Sequence, residues 1–121
     1  QYQVLDGHSH EKLARMGAAI DIDRAAGILI VGSDQTSGVD ANGNQLKNVG
    51  SANLFKITSS GSWNFMATLS PPIVEVEANI HFGESVAIDK PYGRDDITAL
   101  IGAPGAAAAF VYAFQPITSS W

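Results

Sequence analysis

The chain of 121 residues contains no cysteine and few charged side chains. The absence of cysteine excludes a disulfide framework and thiolate chemistry, but it does not identify a cellular compartment. Charged residues make up 16% of the chain and hydrophobic residues 45%, which is enough apolar material for a buried core. The length is that of one ordinary domain.

Basic residues are also scarce. Seven Lys and Arg residues stand against twelve Asp and Glu residues, which gives a net charge of -5. A chain of this charge repels nucleic acid phosphates, so no nucleic acid partner is expected. The longest strongly apolar run, residues 106–114, is too short to cross a bilayer as a helix, and no membrane insertion is expected.

The apolar residues that are present come in short runs that end at Gly, Pro or Asp. Most runs alternate apolar and polar residues, and the run at 28–32 is continuous, as is typical of a strand covered on both faces. Residues 33–50 are polar and rich in Gly and Asn, which predicts a long loop. The fold class predicted is all-β with antiparallel strands, at residues 1–5, 18–23, 28–32, 51–57, 63–69, 84–89, 97–102 and 109–114.

The order of these runs repeats with a period of about sixty residues. The second half carries a match for each prominent feature of the first, in the same order. A sequence that repeats in this way predicts two copies of one structural unit. The matched features are Met16-Gly17 with Phe82-Gly83, Ile22-Asp23 with Ile88-Asp89, residues 30–33 with 100–103, Phe55 with Phe114, and Trp63 with Trp121.

Three segments of the second copy, FGESVAID, ALIGAPG and FVYAF, resemble the FG-GAP repeat of integrin-like β-propellers. The first copy resembles it less closely, in MGAAIDID, ILIVGSD and SANLF. The resemblance implies antiparallel four-stranded blades of β-propeller type. The alternative is a β-sandwich in which these are ordinary turn residues, but a sandwich does not explain the repeat. Gly17 and Gly83 are expected where a strand begins against a crowded axis.

On this interpretation residues 1–121 form one β-repeat region. Residues 6–69 are the first FG-GAP-like repeat and residues 70–121 are the second, which lacks its fourth strand. Residues 1–5 are the strand that completes a neighbouring blade. Two repeats cannot close a propeller, so we expect either a longer chain or assembly with other protomers. The first residue is Gln, which fits a removed leader or a piece of a longer protein.

Integrin-like repeats often hold calcium in an acidic loop between their first two strands. The corresponding residues are Asp21 and Asp23 in the first copy, and Asp89, Asp95 and Asp96 in the second. The last acidic ligand of the family would fall at Ile28 and Thr98, which cannot serve. We therefore predict no metal or cofactor, with calcium at Asp89, Asp95 and Asp96 as the alternative. The segment 40–44 has alternating oxygen ligands but lacks the distal glutamate of an EF-hand.

The sequence offers no catalytic constellation. His8, His10 and Glu11 lack a third metal ligand at a recognised spacing, and His81 is isolated beside Phe82. No serine lies in a nucleophile elbow, and no nucleophile has an orienting base. No enzyme is predicted, and no catalytic, cofactor-binding or metal site residue is assigned.

The leading functional hypothesis is a non-catalytic structural or cell-adhesion module, secreted and extracellular or at the cell surface. Its expected partners are other copies of itself or further repeats of the same chain, assembled head to tail into a ring or filament. The alternative is a carbohydrate-binding, lectin-like propeller segment. In that case Trp63 and Trp121 would stack on sugars, although packing between blades is the favoured role for both.

Overall fold

The computed structural model of the chain describes residues 3–5, 15–72, 75–91 and 96–114. The structure is all-β with antiparallel sheets, as the sequence predicts, and a short 3₁₀ turn lies at Pro104–Ala106. The strands are β1 Met16–Asp23, β2 Ile28–Ser33, β3 Gly38–Val39, β4 Gln45–Leu46, β5 Ser51–Ile57, β6 Trp63–Leu69, β7 Ser85–Asp89, β8 Ile97–Ala103 and β9 Ala108–Phe114.

The strands form two main sheets. The first sheet has the order β1-β2-β5-β6, and the second has the order β7-β8-β9 within the described residues. The strands β5 and β6 have the predicted bounds, and β2 is buried along its whole length, as its continuous apolar run predicts. No helix in the described part of the chain has the length and hydrophobicity needed to span a membrane.

One local prediction was wrong. The loop predicted over residues 33–50 contains the small hairpin β3-β4. This hairpin forms because an Asp40 carboxylate oxygen accepts the backbone N–H groups of Asn42 and Asn44, which closes the turn. Residues 3–5 belong to no sheet within the chain, and the prediction that residues 1–5 form a strand in a neighbouring blade stays a prediction. Gln3 instead bonds the backbone of Trp63 through its side-chain amide, donating to the carbonyl and accepting from the N–H.

The two main sheets share one register in their first two strands. Ile22 pairs with Leu29 in the first sheet, and Ile88 pairs with Ala99 in the second. Even the unusual backbone angles recur: φ is +97° at both Gly17 and Gly83, +56° at Arg15 and +57° at His81. Residues of β1 and β7 that lie 66 positions apart therefore occupy equivalent places in the two sheets, and so do residues of β2 and β8 that lie 70 positions apart.

One sequence equivalence is corrected by the strand pairing. Phe55 pairs with Leu29, and Tyr112 pairs with Ala99, the residue equivalent to Leu29. Tyr112, and not Phe114, therefore occupies the position of Phe55. The connections before β5 and β9 differ in length, so the register of the third strand could not be read from sequence spacing. Trp121 lies outside the described residues.

The core lies between the two main sheets, which pack against each other through one face of each. We call these the inner faces. Because side chains alternate along a strand, every second residue of each strand points into this core. The buried residues of the core are Ile28, Ile30, Val49, Ala52, Leu54, Leu69, Ile80, Phe82, Ile88, Ile97, Ala99, Ile101 and Ala103.

Glycine just before β7 allows the two sheets to approach closely. A Cβ on Gly83 would contact the carbonyl oxygen of Ser51, and a Cβ on Gly32 would contact the carbonyl oxygen of Gly83. The predicted crowding is therefore present at Gly83. It is absent at Gly17, where a Cβ would have no heavy atom within 4 Å. Gly17 is required only by its positive φ, because it has no neighbouring sheet on that side.

Candidate functional site

The faces of the two sheets that point away from the shared core are also apolar. On the outer face of the second sheet, Leu100 and Val111 pair across the strands and are 43% and 67% exposed. The equivalent pair in the first sheet, Ile30 and Leu54, lies on the inner face and is 0% exposed for both residues. Equivalent side chains are thus buried where a neighbouring sheet exists and exposed where none does.

The outer face of the first sheet is broader. Leu29, Val31 and Phe55 form its buried centre, with Leu5, Met16 and Trp63 packed against them. Within the described residues, the exposed large hydrophobic side chains lie on this face or on the outer face of the second sheet, apart from Val4 and Val39. Those on the first sheet are Ile20, Ile22, Ile57 and Phe65. Exposed apolar surface of this kind marks interaction sites.

Two carboxylates of β1 hold the second sheet in place. Asp21 accepts the backbone N–H of Ile88 at 2.8 Å, and Asp23 accepts that of Lys90 at 2.7 Å. By the resemblance to FG-GAP repeats, these two residues correspond to the calcium loop of the first copy. Their oxygens instead accept hydrogen bonds from the edge of β7. Asp89, at the position equivalent to Asp23, is exposed on the outer face of the second sheet.

The Asp23 contact makes stability depend on pH. The N–H groups of Ala26 and then Lys90 hold the pKa of Asp23 below its ordinary value of 3.8. A lowered carboxyl pKa stabilises the folded state above pH 3.8, and this contribution is lost as the pH falls through the folded-state pKa. We expect Asp23→Asn to lower the free energy of unfolding by about 1–2 kcal/mol at pH 7 and by less at pH 3. Urea unfolding at the two pH values measures this.

The control for this prediction is Glu77→Gln, which removes one negative charge from an exposed side chain that lies in neither sheet. We expect this variant to unfold like the unaltered chain at pH 7. Equal losses of stability in the two variants, or a loss that grows at pH 3, would contradict the role given to Asp23.

A second polar cluster lies where β2 ends. Asp34 is 2% exposed, and its Oδ2 is 3.2 Å from Nδ1 of His81. Arg15 Nε lies 3.1 Å from its Oδ1. Arg15 and His81 occupy equivalent positions before β1 and β7, so both copies of the repeat direct a side chain at one carboxylate. Glu84 lies close to the same group. We name Asp34, His81 and Glu84 the Asp34 cluster.

The description of His81 as isolated was wrong. Its partner Asp34 precedes it by 47 positions and follows a different strand. The only sequence signal was the repeat itself, which places Asp34 at the position of Pro104 and so marks it as unusual. His8, His10, Glu11 and Asp95 lie outside the described residues. Asp89 and Asp96 are described, and calcium at Asp89, Asp95 and Asp96 stays the untested alternative to the prediction of no metal.

Trp63 borders a cleft of about 580 Å³ on the outer face of the first sheet. The polar groups around this cleft are bonded within the chain. The side chain of Gln3 bonds the Trp63 backbone, and the hydroxyls of Thr58, Ser60 and Ser62 are 2.8–3.2 Å from one another. A sugar would have to compete with these contacts. The arrangement therefore favours a packing role for Trp63 over a sugar-binding role.

Comparison with known proteins gives no match: no family model fits the chain, and neither a curated protein nor a solved structure is similar to it. The resemblance to FG-GAP repeats therefore rests on the sequence motifs themselves.

Proposed function

We propose that this chain is a non-catalytic structural or adhesion module of two integrin-like FG-GAP blades, which acts by protein–protein association outside the cell or at its surface. One observation carries the proposal. Leu100 and Val111 are exposed on the second sheet, whereas the equivalent Ile30 and Leu54 are buried against a neighbouring sheet. The second sheet thus presents the kind of face that the first sheet buries, and burial of each such side chain contributes about 1.5–3 kcal/mol.

The partner that fits this face best is the outer face of the first sheet in another copy or in a further repeat. The interface inside the chain supplies the template, because it joins an equivalent pair of faces. Within the chain, the Asp23 carboxylate accepts the backbone N–H of Lys90. If the same interface formed between units, the Asp89 carboxylate would accept the backbone N–H of Arg24 in the next unit. Contacts between two different surfaces give a head-to-tail arrangement, which forms a ring if it closes and a filament if it does not.

The edges of the sheets support the same arrangement. The third strand of the first sheet, β5, pairs with a fourth strand, β6. The third strand of the second sheet, β9, is an edge strand within the described residues. An edge strand of this kind offers unpaired backbone groups for β-augmentation. A neighbouring unit would supply the missing fourth strand, and residues 1–5 are the segment that we assign to this role.

The proposal is tested with lysine on each outer face. Val111→Lys alters the second sheet and Ile20→Lys the first, at side chains that are 67% and 64% exposed and so are not needed for folding. Lysine lowers the net negative charge, so any lost association cannot come from added repulsion. We expect sedimentation velocity to show assemblies for the unaltered chain. Each variant alone should associate more than about 100-fold more weakly, because docking would bury an unpaired charge.

Mixing the two variants identifies the arrangement. Each keeps one intact face, and these two faces are complementary, so the mixture should form a one-to-one dimer. Val39→Lys is the matched control: it alters an exposed side chain that lies off both outer faces, and it should assemble normally. Variants that assemble as the unaltered chain does, or a chain that stays monomeric at all concentrations, would contradict the proposal.

A further inference from the structure

We propose that the Asp34 cluster is a binding site for a divalent transition-metal ion, with Zn²⁺ as the ion that its chemistry fits best. Asp34, His81 and Glu84 each offer one ligand atom, and these atoms lie within 4.8 Å of one another. The residues come from two different places in the fold. Asp34 follows β2 of the first sheet, whereas His81 and Glu84 precede β7 of the second.

The state of Asp34 is the independent observation that points to a ligand. Its carboxylate is 2% exposed, and its Oδ1 is a buried atom that accepts no hydrogen bond. Arg15 Nε lies 3.1 Å from this oxygen, but its N–H is not aligned for a hydrogen bond. Burial of a charged carboxylate is costly, and one cation beside Oδ1 with a single imidazole at Oδ2 offsets that cost only in part, so a metal ion at Oδ2 would stabilise the carboxylate further.

The separation of the first two ligands fits a tetrahedral metal ion. Zinc binds imidazole nitrogen and carboxylate oxygen at roughly 2.0–2.1 Å, so two ligands of one tetrahedron lie roughly 3.3 Å apart. Asp34 Oδ2 and His81 Nδ1 are 3.2 Å apart. A zinc ion can therefore replace the proton between these two atoms with little movement of either side chain.

The ligand types select the metal. Calcium and magnesium take oxygen ligands, whereas an imidazole together with carboxylates suits zinc and its neighbours in the first transition row. Glu84 is exposed, so its side chain can swing to become the third ligand, and water completes the tetrahedron. The Arg15 guanidinium is the competing cation, because it lies beside the same Asp34 oxygen.

The experiment measures Zn²⁺ binding to the whole chain by isothermal titration calorimetry. All proteins carry His8→Gln and His10→Gln, so that these two histidines, which lie outside the described residues, cannot supply the signal. We expect one Zn²⁺ per chain at roughly micromolar affinity, weaker than in closed structural sites with four protein ligands. Calcium should give no heat of binding at this site.

Three further variants assign the ligands. Glu84→Gln and His81→Gln should each weaken Zn²⁺ binding at least tenfold, because each removes a ligand. Arg15→Gln should tighten binding about tenfold, because it removes a competing positive charge. Glu77→Gln, which alters an exposed carboxylate that is not part of the Asp34 cluster, should leave the affinity unchanged.

Circular dichroism confirms that each variant is folded before titration. No Zn²⁺ binding by the folded background protein would overturn the proposal. So would equal affinities in the background protein, Glu84→Gln and His81→Gln, since zinc would then be bound elsewhere. Weaker binding in Arg15→Gln would also overturn it, because Arg15 would then support the ion instead of competing with it.

Discussion

Replacing Phe82 by alanine is expected to lower the free energy of unfolding by about 3–5 kcal/mol, the largest effect of any single substitution considered. Phe82 is 0% exposed and is the largest of the fully buried side chains. Its ring centroid lies 5.5 Å from that of Phe110 and 6.1 Å from that of Tyr112. These neighbours belong to β9, so the cavity would open at the centre of the core between the sheets.

The matched control for this prediction is Met16→Ala, at the equivalent position of the first sheet. Met16 is half-buried and has no neighbouring sheet beyond it, so the loss should be about 1 kcal/mol. Urea unfolding followed by tryptophan fluorescence measures both variants, with the slope of the transition as a check on two-state behaviour. Similar losses for the two substitutions would mean that Phe82 is not the centre of the core.

Replacing Gly32 by alanine is expected to be nearly as damaging, for the opposite reason. The new methyl group would collide with the backbone carbonyl of Gly83 on the facing sheet. This carbonyl is main chain just before β7, where the Gly83 N–H bonds the Gly102 carbonyl, so it cannot rotate away as a side chain can and the sheets must separate. Overpacking of this kind commonly costs 1–3 kcal/mol, and we expect about 3 kcal/mol here because the obstacle is main chain.

Gly102 provides the control, since it is the residue equivalent to Gly32 in the second sheet. A Cβ there would meet the hydroxyl oxygen of Ser85, an exposed side chain that can change rotamer. Gly102→Ala should therefore lower the free energy of unfolding by less than about 1 kcal/mol. If both alanine variants unfold at the same urea concentration, the close approach of Gly32 and Gly83 does not limit the packing of the sheets.

The strands could be predicted because their signal is local. Residues 51–57 and 63–69 alternate in polarity and end at Ser, Gly or Pro, so β5 and β6 begin and end where the sequence indicates. The hairpin β3-β4 was missed because its strands have two residues each, too few to show a period. Its stability depends on side-chain contacts of Asp40, which are not visible in an apolar pattern.

The candidate sites could be predicted only in part. The apolar pattern shows that Ile30 and Leu100 are apolar side chains at equivalent positions of two strands. It cannot show which of the two is buried against a second sheet. The Asp34 cluster was harder to predict from the sequence, because its residues are far apart in the chain. The match of Met16-Gly17 with Phe82-Gly83 makes positions 15 and 81 equivalent, but it carries no sign that Arg15 and His81 approach the same carboxylate.

The sequence by itself determined the all-β class and most of the strands, because both depend on neighbouring residues and on the period of apolar side chains. It also determined the two-fold repeat, because matched features recur in the same order along the chain. The tertiary structure decided which of two equivalent faces is buried. It also decided that Asp21 and Asp23 accept hydrogen bonds from backbone N–H groups in and just after β7, and that the Asp34 carboxylate contacts the side chains of Arg15 and His81. These outcomes depend on the packing of one sheet against the other, and packing joins residues whose separation in the chain carries no local signal.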